Sequence, residues 1–331
     1  MKETLIRVAR IVVSAGLLFL VLRKAPLSDL WTQIQQADVV WLLAAFGVNS
    51  LGNVFGAWRW QLLLRSQSRI ISMPYLYGSY LVGLFFNNVL PSSIGGDVFR
   101  ATGARKKGGG TLTENLTVVL VERMIGLLAT LTLGGLAALT GAAKGLDPRI
   151  TWALYLALFV SAAGLYVALS SSMRALAARF LAHIPIDFVQ RTGGKMIAAF
   201  ELFSRARGTL LANYVLSLGF QFLLIVHFYL IQFAFGNSLP FSTFVVVVPL
   251  VFFVMLLPIG INGLGVRETA FVFFLTPAGM SETSALALSL TSYGIAVGQG
   301  VLGGAVHLYR ESRERAARPK IQEPTDASAE A

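Results

Sequence analysis

The sequence predicts an all-α polytopic membrane protein arranged as an inverted repeat, with about six full spans and two re-entrant helical hairpins. Three observations lead there: a composition dominated by hydrocarbon, a glycine-broken polar motif that occurs twice, and a charge map that orients the two copies oppositely. The alternative arrangement is about eight plain crossings.

Length alone, 331 residues, would allow two soluble domains, but 55% hydrophobic residues, 13% charged residues and a mean hydropathy of +0.69 exclude that class. Apolar runs long enough to cross a hydrocarbon core about 30 Å thick recur along the chain. The net charge of +11 would point to nucleic acid in a soluble protein. Here it reads as cytoplasmic loops that orient the spans and rest against anionic headgroups, with no nucleic-acid partner. The chain has no Cys, which excludes disulfides and thiolate metal sites.

The first polar stretch is NNVLPSSIGGDVFR, from Asn87 to Arg100. A constant offset of 167 carries Leu90, Pro91, Ile94, Gly96 and Arg100 onto Leu257, Pro258, Ile261, Gly263 and Arg267 of LPIGINGLGVRE. Duplication with a broken, polar segment at matching positions is the pattern of a transporter made from two repeats.

Taken in order, 5–22 is a span retained after Lys2, Arg7 and Arg10, because no small-residue cleavage site follows it. The stretch 26–38 is a linker, 39–58 a second span, and Arg59, Arg65 and Arg69 mark its cytoplasmic end. Basic residues also follow the first motif, at Arg105, Lys106 and Lys107, so 75–107 enters and leaves on one side. That makes it a re-entrant hairpin. A span at 113–139 closes the first repeat, 1–140. The second repeat, 141–310, begins with a span at 152–169 and a basic cytoplasmic segment at 170–208 that carries short amphipathic helices. A span at 210–235 then leads to uncharged loops around the second motif, which make 241–276 a hairpin entered from outside. The last span, 284–309, delivers Arg310, Arg313 and Arg315 to the cytoplasm, and 311–331 reads as a disordered tail. Both termini are therefore expected in the cytoplasm, in the inner (plasma) membrane.

In the first motif, Asn87, Asn88, Ser92 and Ser93 supply neutral donors and acceptors, Pro91 frees carbonyls, and Gly95 and Gly96 permit positive φ and close backbone approach. Asp97 is placed to cap the returning helix and to pair with Arg100. In the second motif Pro258, Asn262, Gly263 and Gly265 take the same parts, with Arg267 and Glu268 as the charged pair. Arg100 and Arg267 are candidate phosphate ligands, since guanidinium matches phosphate in bidentate geometry. The alternative is a salt bridge that staples each hairpin. Glu122 and Arg123 join this set; adjacent helical residues project about 100° apart, so one faces the cavity and the other pairs with a hairpin charge. His227 stands mid-span, either in a proton path or in an interhelical hydrogen bond. No catalytic motif, metal-ligand spacing or cofactor-binding loop is visible, so no catalytic residue, metal or cofactor is assigned.

NNVLPSSIGGDVFRA, VERMIG and LPIGINGLGVRE resemble the flippase-like membrane family that includes the membrane part of lysylphosphatidylglycerol synthases and stand-alone relatives. The resemblance covers nearly the whole chain. It implies transbilayer movement, by flipping or scrambling, of a phospholipid or lipid-linked precursor, often anionic, in a prokaryotic membrane. Because the sequence ends at Ala331, the expectation is a stand-alone relative without the synthase domain, a transporter rather than an enzyme, with a membrane lipid as its partner and homo-oligomerisation open. Two other readings stay open: an intramembrane lipid-modifying enzyme using Asp97, Glu122 or Glu268 as base, and a non-transporting partner in an envelope lipid or glycan pathway.

Overall fold

A computed structural model describes residues 16, 19, 23, 27–90, 95–140, 147–255 and 263–316. Most of the expected span 5–22 and the tail beyond 316 lie outside these, as do Pro91, Ser92, Ser93, Pro258 and Asn262. Among the described residues the protein is helices joined by turns, with no strand. The first repeat contains α1 (Leu27–Gln35), α2 (Val39–Ser66), α3 (Met73–Val89), α4 (Gly95–Gly108) and α5 (Leu112–Leu139). The second contains α6 (Pro148–Leu169), α7 (Ser171–Ala182), α8 (Asp187–Glu201), α9 (Arg207–Ala234), α10 (Phe241–Met255), α11 (Val266–Leu275) and α12 (Glu282–Ala316).

Five of these, α2, α5, α6, α9 and α12, are long and apolar enough to cross a membrane. The 15-residue α10 is apolar but short. It and α3 each run toward a tip from which α11 and α4 return. The offset of 167 holds for whole elements: it carries α2 onto 206–233, α3 onto 240–256, α4 onto 262–275 and α5 onto 279–306, where α9, α10, α11 and α12 lie.

Both hairpins fold back on themselves. In the first, Tyr75 Oη donates to the Gly103 carbonyl at 3.2 Å near the open end, and the backbones of Gly83 and Gly96 touch near the tip. In the second, Gly263 meets Met255 at the tip and Gly279 meets Leu239 at the open end. The open ends sit at opposite ends of α12. Ser284, at its start, follows the second hairpin and accepts from Gln33 of α1 at 3.3 Å, whereas Glu314, near its end, takes Lys106 of the first hairpin at 3.0 Å. The hairpins therefore enter the bundle from opposite ends, as an inverted repeat requires.

Assembly of the repeats exchanges partners, so they interlock and neither is a separate unit. The first hairpin packs on α12 of the second repeat, where Gly303 lies against the Leu81 carbonyl, and the second hairpin packs on α5 of the first, where Gly134 lies against Pro249. Between these, α2 crosses α9 at the offset-related glycines Gly52 and Gly219, which face Phe220 and Phe55. Small residues allow such approach where lipid gives no hydrophobic drive for helices to associate. His227 joins three helices, with Nδ1 3.0 Å from the Ala45 carbonyl and Nε2 3.0 Å from Ser292 Oγ, an interhelical hydrogen-bonding arrangement.

Three sequence boundaries need correction. The second span does not end at Arg59: α2 continues to Ser66, and Arg59 is 5% exposed. A charge that looks like a cytoplasmic flank is instead inside the bundle with a partner. The linker 26–38 contains α1, whose buried Leu30 packs with Leu286 and Ala287. The boundary at 311 falls within α12, which runs to Ala316 with an exposed Arg315–Glu311 pair at 2.6 Å along its last turns.

The end-to-end arrangement sets a labelling expectation, and the absence of Cys lets single introduced thiols report cleanly. Ser66, Gly109 and Ser204 gather at one end, with Gln67 reaching the Leu202 carbonyl at 3.3 Å, while Gly279 touches Leu239 at the other, beside Asn237. Thiols at the first three positions should label from the cytoplasm, and those at Asn237 and Gly279 from outside. Labelling of Gly109 from outside would refute the hairpin.

Candidate functional site

The first site is built on α4. Its opening turn is held by Asn87, whose Oδ1 accepts from the Gly96 N–H at 2.9 Å, while Asp97 lies in the first turn. Gly96 is required by close approach: a Cβ there would come within 2.0 Å of the Gly83 carbonyl oxygen. Gly95 and Gly96 are both helical, so the positive φ expected of this pair is not what it supplies. The hairpin is also tied to α12, since Asn88 Nδ2 donates to the Ala296 carbonyl at 3.3 Å.

With the backbones this close, one stripe of α4 carries Asp97 and Arg100 inward, where both are buried. Arg100 Nη2 donates to Glu122 Oε2 at 2.6 Å, and its Nη1 is 3.6 Å from Asp97 Oδ1. The other oxygen of Glu122 accepts from Arg59 Nη2 at 3.0 Å, and the second oxygen of Asp97 pairs with Arg123 Nε at 2.6 Å. Arg59 reaches the second repeat as well, donating from Nη1 to Ser217 Oγ at 3.0 Å, while Asn213 Nδ2 donates to the Arg59 carbonyl at 2.8 Å. Aromatic faces cover the guanidinium groups, with Arg100 4.5 Å from the Trp60 ring and 4.6 Å from Tyr80, and Arg59 4.8 Å from Phe220.

Among the described residues, three guanidinium groups thus face two carboxylates, with Arg123 at the half-exposed rim. Donors are spare too: Arg59 Nε, Arg100 Nε and Trp60 Nε1 are buried with no hydrogen-bond partner among the described residues. Buried donors are ordinarily satisfied. The sequence argument expected one of Glu122 and Arg123 to pair with the hairpin; both do, because Arg123 at 47% side-chain exposure reaches round from the helix rim.

The second site, on α11, uses the same position with a different partner. Gly265 has φ +78°, and its N–H donates to Glu268 Oε2 at 2.7 Å, closing the helix start. Arg267 Nη2 pairs with Glu268 Oε1 at 2.5 Å, its Nε donates to Ser289 Oγ at 3.1 Å, and its guanidinium lies 5.0 Å from the Tyr293 ring. Glu268 is fully buried. Offset by 167, Arg100 becomes Arg267 and Glu122 becomes Ser289, so the carboxylate on the neighbouring span is replaced by a hydroxyl and the counter-charge moves onto the hairpin itself. The first hairpin is bound to α5 by an ion pair. The second carries its own counter-ion.

The structure therefore brings Asn87, Gly96, Asp97, Arg100, Glu122 and Arg123 together in one cluster, and Gly265, Arg267 and Glu268 in another, with Gly263 at the second tip. Arg59, Trp60, Tyr80, Ser217, Ser289 and Tyr293 belong with them and were not singled out from sequence. Ser289 could have been found by applying the offset to Glu122. Arg59 could have been found from its setting, since WRWQLLL stays apolar beyond it.

The tips give a second expected outcome. Gly96→Val would force a side chain into the Gly83 backbone, and Gly263→Val would combine a φ of +74° with a clash against Met255. Each should cost more than about 2 kcal/mol and abolish activity. Normal thermal stability and normal activity in both would show that the tips are ordinary loops.

The all-helical bundle and its five apolar helices long enough to cross a membrane define a polytopic all-α membrane protein. Over residues 7–303 the chain matches the lysylphosphatidylglycerol synthase TM region, and it belongs to that family. The family associates it with lipid-related envelope pathways. No curated protein and no solved structure matches the chain.

Proposed function

We propose that this chain moves a phospholipid or lipid-linked precursor, anionic at its headgroup, between the leaflets of the inner membrane, with both termini in the cytoplasm. The observation that carries the reading is the cluster around Arg100. A site with three guanidinium groups and two carboxylates among the described residues, and with spare donors on the buried Arg59, Arg100 and Trp60, at the start of a broken helix, is suited to receive a phosphate. The inverted arrangement supplies a second guanidinium, Arg267, on the hairpin that enters from the opposite end. Basic segments such as 170–208 rest against anionic headgroups on the cytoplasmic face.

Chemistry on the lipid is the weaker reading. Each carboxylate that could act as base has both oxygens engaged, Asp97 by Arg123 and Arg100, Glu122 by Arg59 and Arg100, and Glu268 by Arg267 and the Gly265 N–H, which leaves neither oxygen directed at a lipid. The test is purified protein in liposomes containing fluorescent phosphatidylglycerol. A membrane-impermeant quencher should reach the inner-leaflet label with no new lipid species formed. A new species would establish the enzyme reading; intact inner-leaflet fluorescence and unchanged lipid would leave the non-transporting partner.

A further inference from the structure

A cleft of about 450 Å³ lies between the first hairpin and the end of α12, on the opposite stripe of α4 from Arg100. Phe99, Thr102, Gly103 and Lys106 of α4 line one wall, three and four residues apart as one helical face requires. Tyr75 and Ser79 of α3 form the second wall, and Arg310 stands on the third. Its Nη1 donates to Ser79 Oγ at 2.8 Å, its Nη2 to the Tyr75 carbonyl at 2.9 Å, and it lies 4.1 Å from the Tyr75 ring. Gly78 leaves room for it, since a Cβ there would fall 2.4 Å from Arg310 Nη2.

All these partners of Arg310 are neutral, so its charge is oriented and desolvated but not cancelled. Lys106 pairs with Glu314 at 3.0 Å and Arg315 with Glu311 at 2.6 Å, both at the exposed rim. Three cations thus face two carboxylates around one cleft. Exposed pairs are weak and exchange readily, which lets Lys106 and Arg315 turn to an incoming anion. Toward the interior the wall becomes apolar: Val82 lines the cleft, and Phe99 stacks on Phe86 at 3.4 Å. Charge at the mouth and hydrocarbon behind it match a headgroup joined to acyl chains.

We propose that this cleft binds a phosphate-bearing monoanion, supplied by a lipid headgroup, with Arg310 as the fixed ligand and Lys106 and Arg315 as recruited ones. The site is distinct from the Arg100 cluster and does not depend on leaflet exchange. Binding to the full chain in a maltoside detergent free of phosphate tests it, with short-chain phosphatidylglycerol, short-chain phosphatidylcholine, glycerol 3-phosphate and inorganic phosphate as probes. The phosphatidylglycerol should bind saturably and at least about tenfold more tightly than the other three, and Arg310→Gln should weaken it about tenfold. The double variant Glu311→Gln with Glu314→Gln, confined to the rim and so neutral to folding, should tighten it by releasing both cations. Unchanged affinity in Arg310→Gln, or weaker binding in the rim variant, would overturn the site. Equal affinity for glycerol 3-phosphate or inorganic phosphate would overturn the lipid source. Because the readout is binding, either result leaves the transport reading to its own experiment.

Discussion

Glu122→Ala is expected to destabilise the protein by about 3–5 kcal/mol, the largest effect of any single charge removal in the first repeat. Its two oxygens hold Arg59 and Arg100, and the carboxylate is 2% exposed, so truncation leaves two guanidinium groups at depth with only Asp97 nearby. A lost transition or a large fall in melting temperature of the detergent-purified protein checks it. The comparison that gives the result meaning is Ser289→Ala at the offset-related position. That change removes the hydroxyl that accepts from Arg267 and donates to Glu268 while the Arg267–Glu268 ion pair remains, so about 1–2 kcal/mol is expected. Equal losses at the two positions would show that the hairpins are held in the same way, against the geometry.

The different tethering of the hairpins was not legible in the sequence, although the repeat was. Periodicity of hydropathy is a long-range signal, and it sufficed for the spans expected at 39–58, 113–139, 152–169, 210–235 and 284–309, where α2, α5, α6, α9 and α12 lie. The offset of 167 is a property of the chain and holds for the helices as well. Partner choice is a different kind of information. That Arg100 meets Glu122 as well as Asp97 depends on how α4 rotates against α5, and on the contact of Gly83 with Gly96, which nothing in local sequence reports. Arg59 was misplaced for a related reason. The rule that basic residues mark a cytoplasmic end treats every flanking arginine as solvated, and it fails where a carboxylate on another helix, here Glu122 of α5, compensates the charge. The exchange of partners between repeats was equally hidden, because glycines at 134 and 303 look like any others in a chain with 32.

Arg100→Gln and Arg267→Gln are expected to fail in opposite ways, although they change equivalent positions. Removing Arg100 leaves Glu122 paired with Arg59 and Asp97 paired with Arg123, so two cations still face two carboxylates and the bundle should fold with near-normal stability. What disappears is the Arg100 guanidinium and its spare donor. If that charge receives a headgroup, leaflet exchange should fall to the level of empty liposomes, with Arg100→Lys retaining part of it because charge remains while the bidentate fork is lost. Removing Arg267 instead strands Glu268, fully buried, with a backbone N–H and a hydroxyl as its remaining partners. A loss of about 3–5 kcal/mol is expected there, seen as poor yield or early unfolding. The paired change Arg267→Gln with Glu268→Gln removes both charges together and should restore folding, and it then tests the second guanidinium on a folded protein. A folded, inactive pair makes Arg267 a headgroup ligand. Full exchange by that pair would make Arg267 a staple, and full exchange by Arg100→Gln would remove the phosphate from the proposed mechanism altogether.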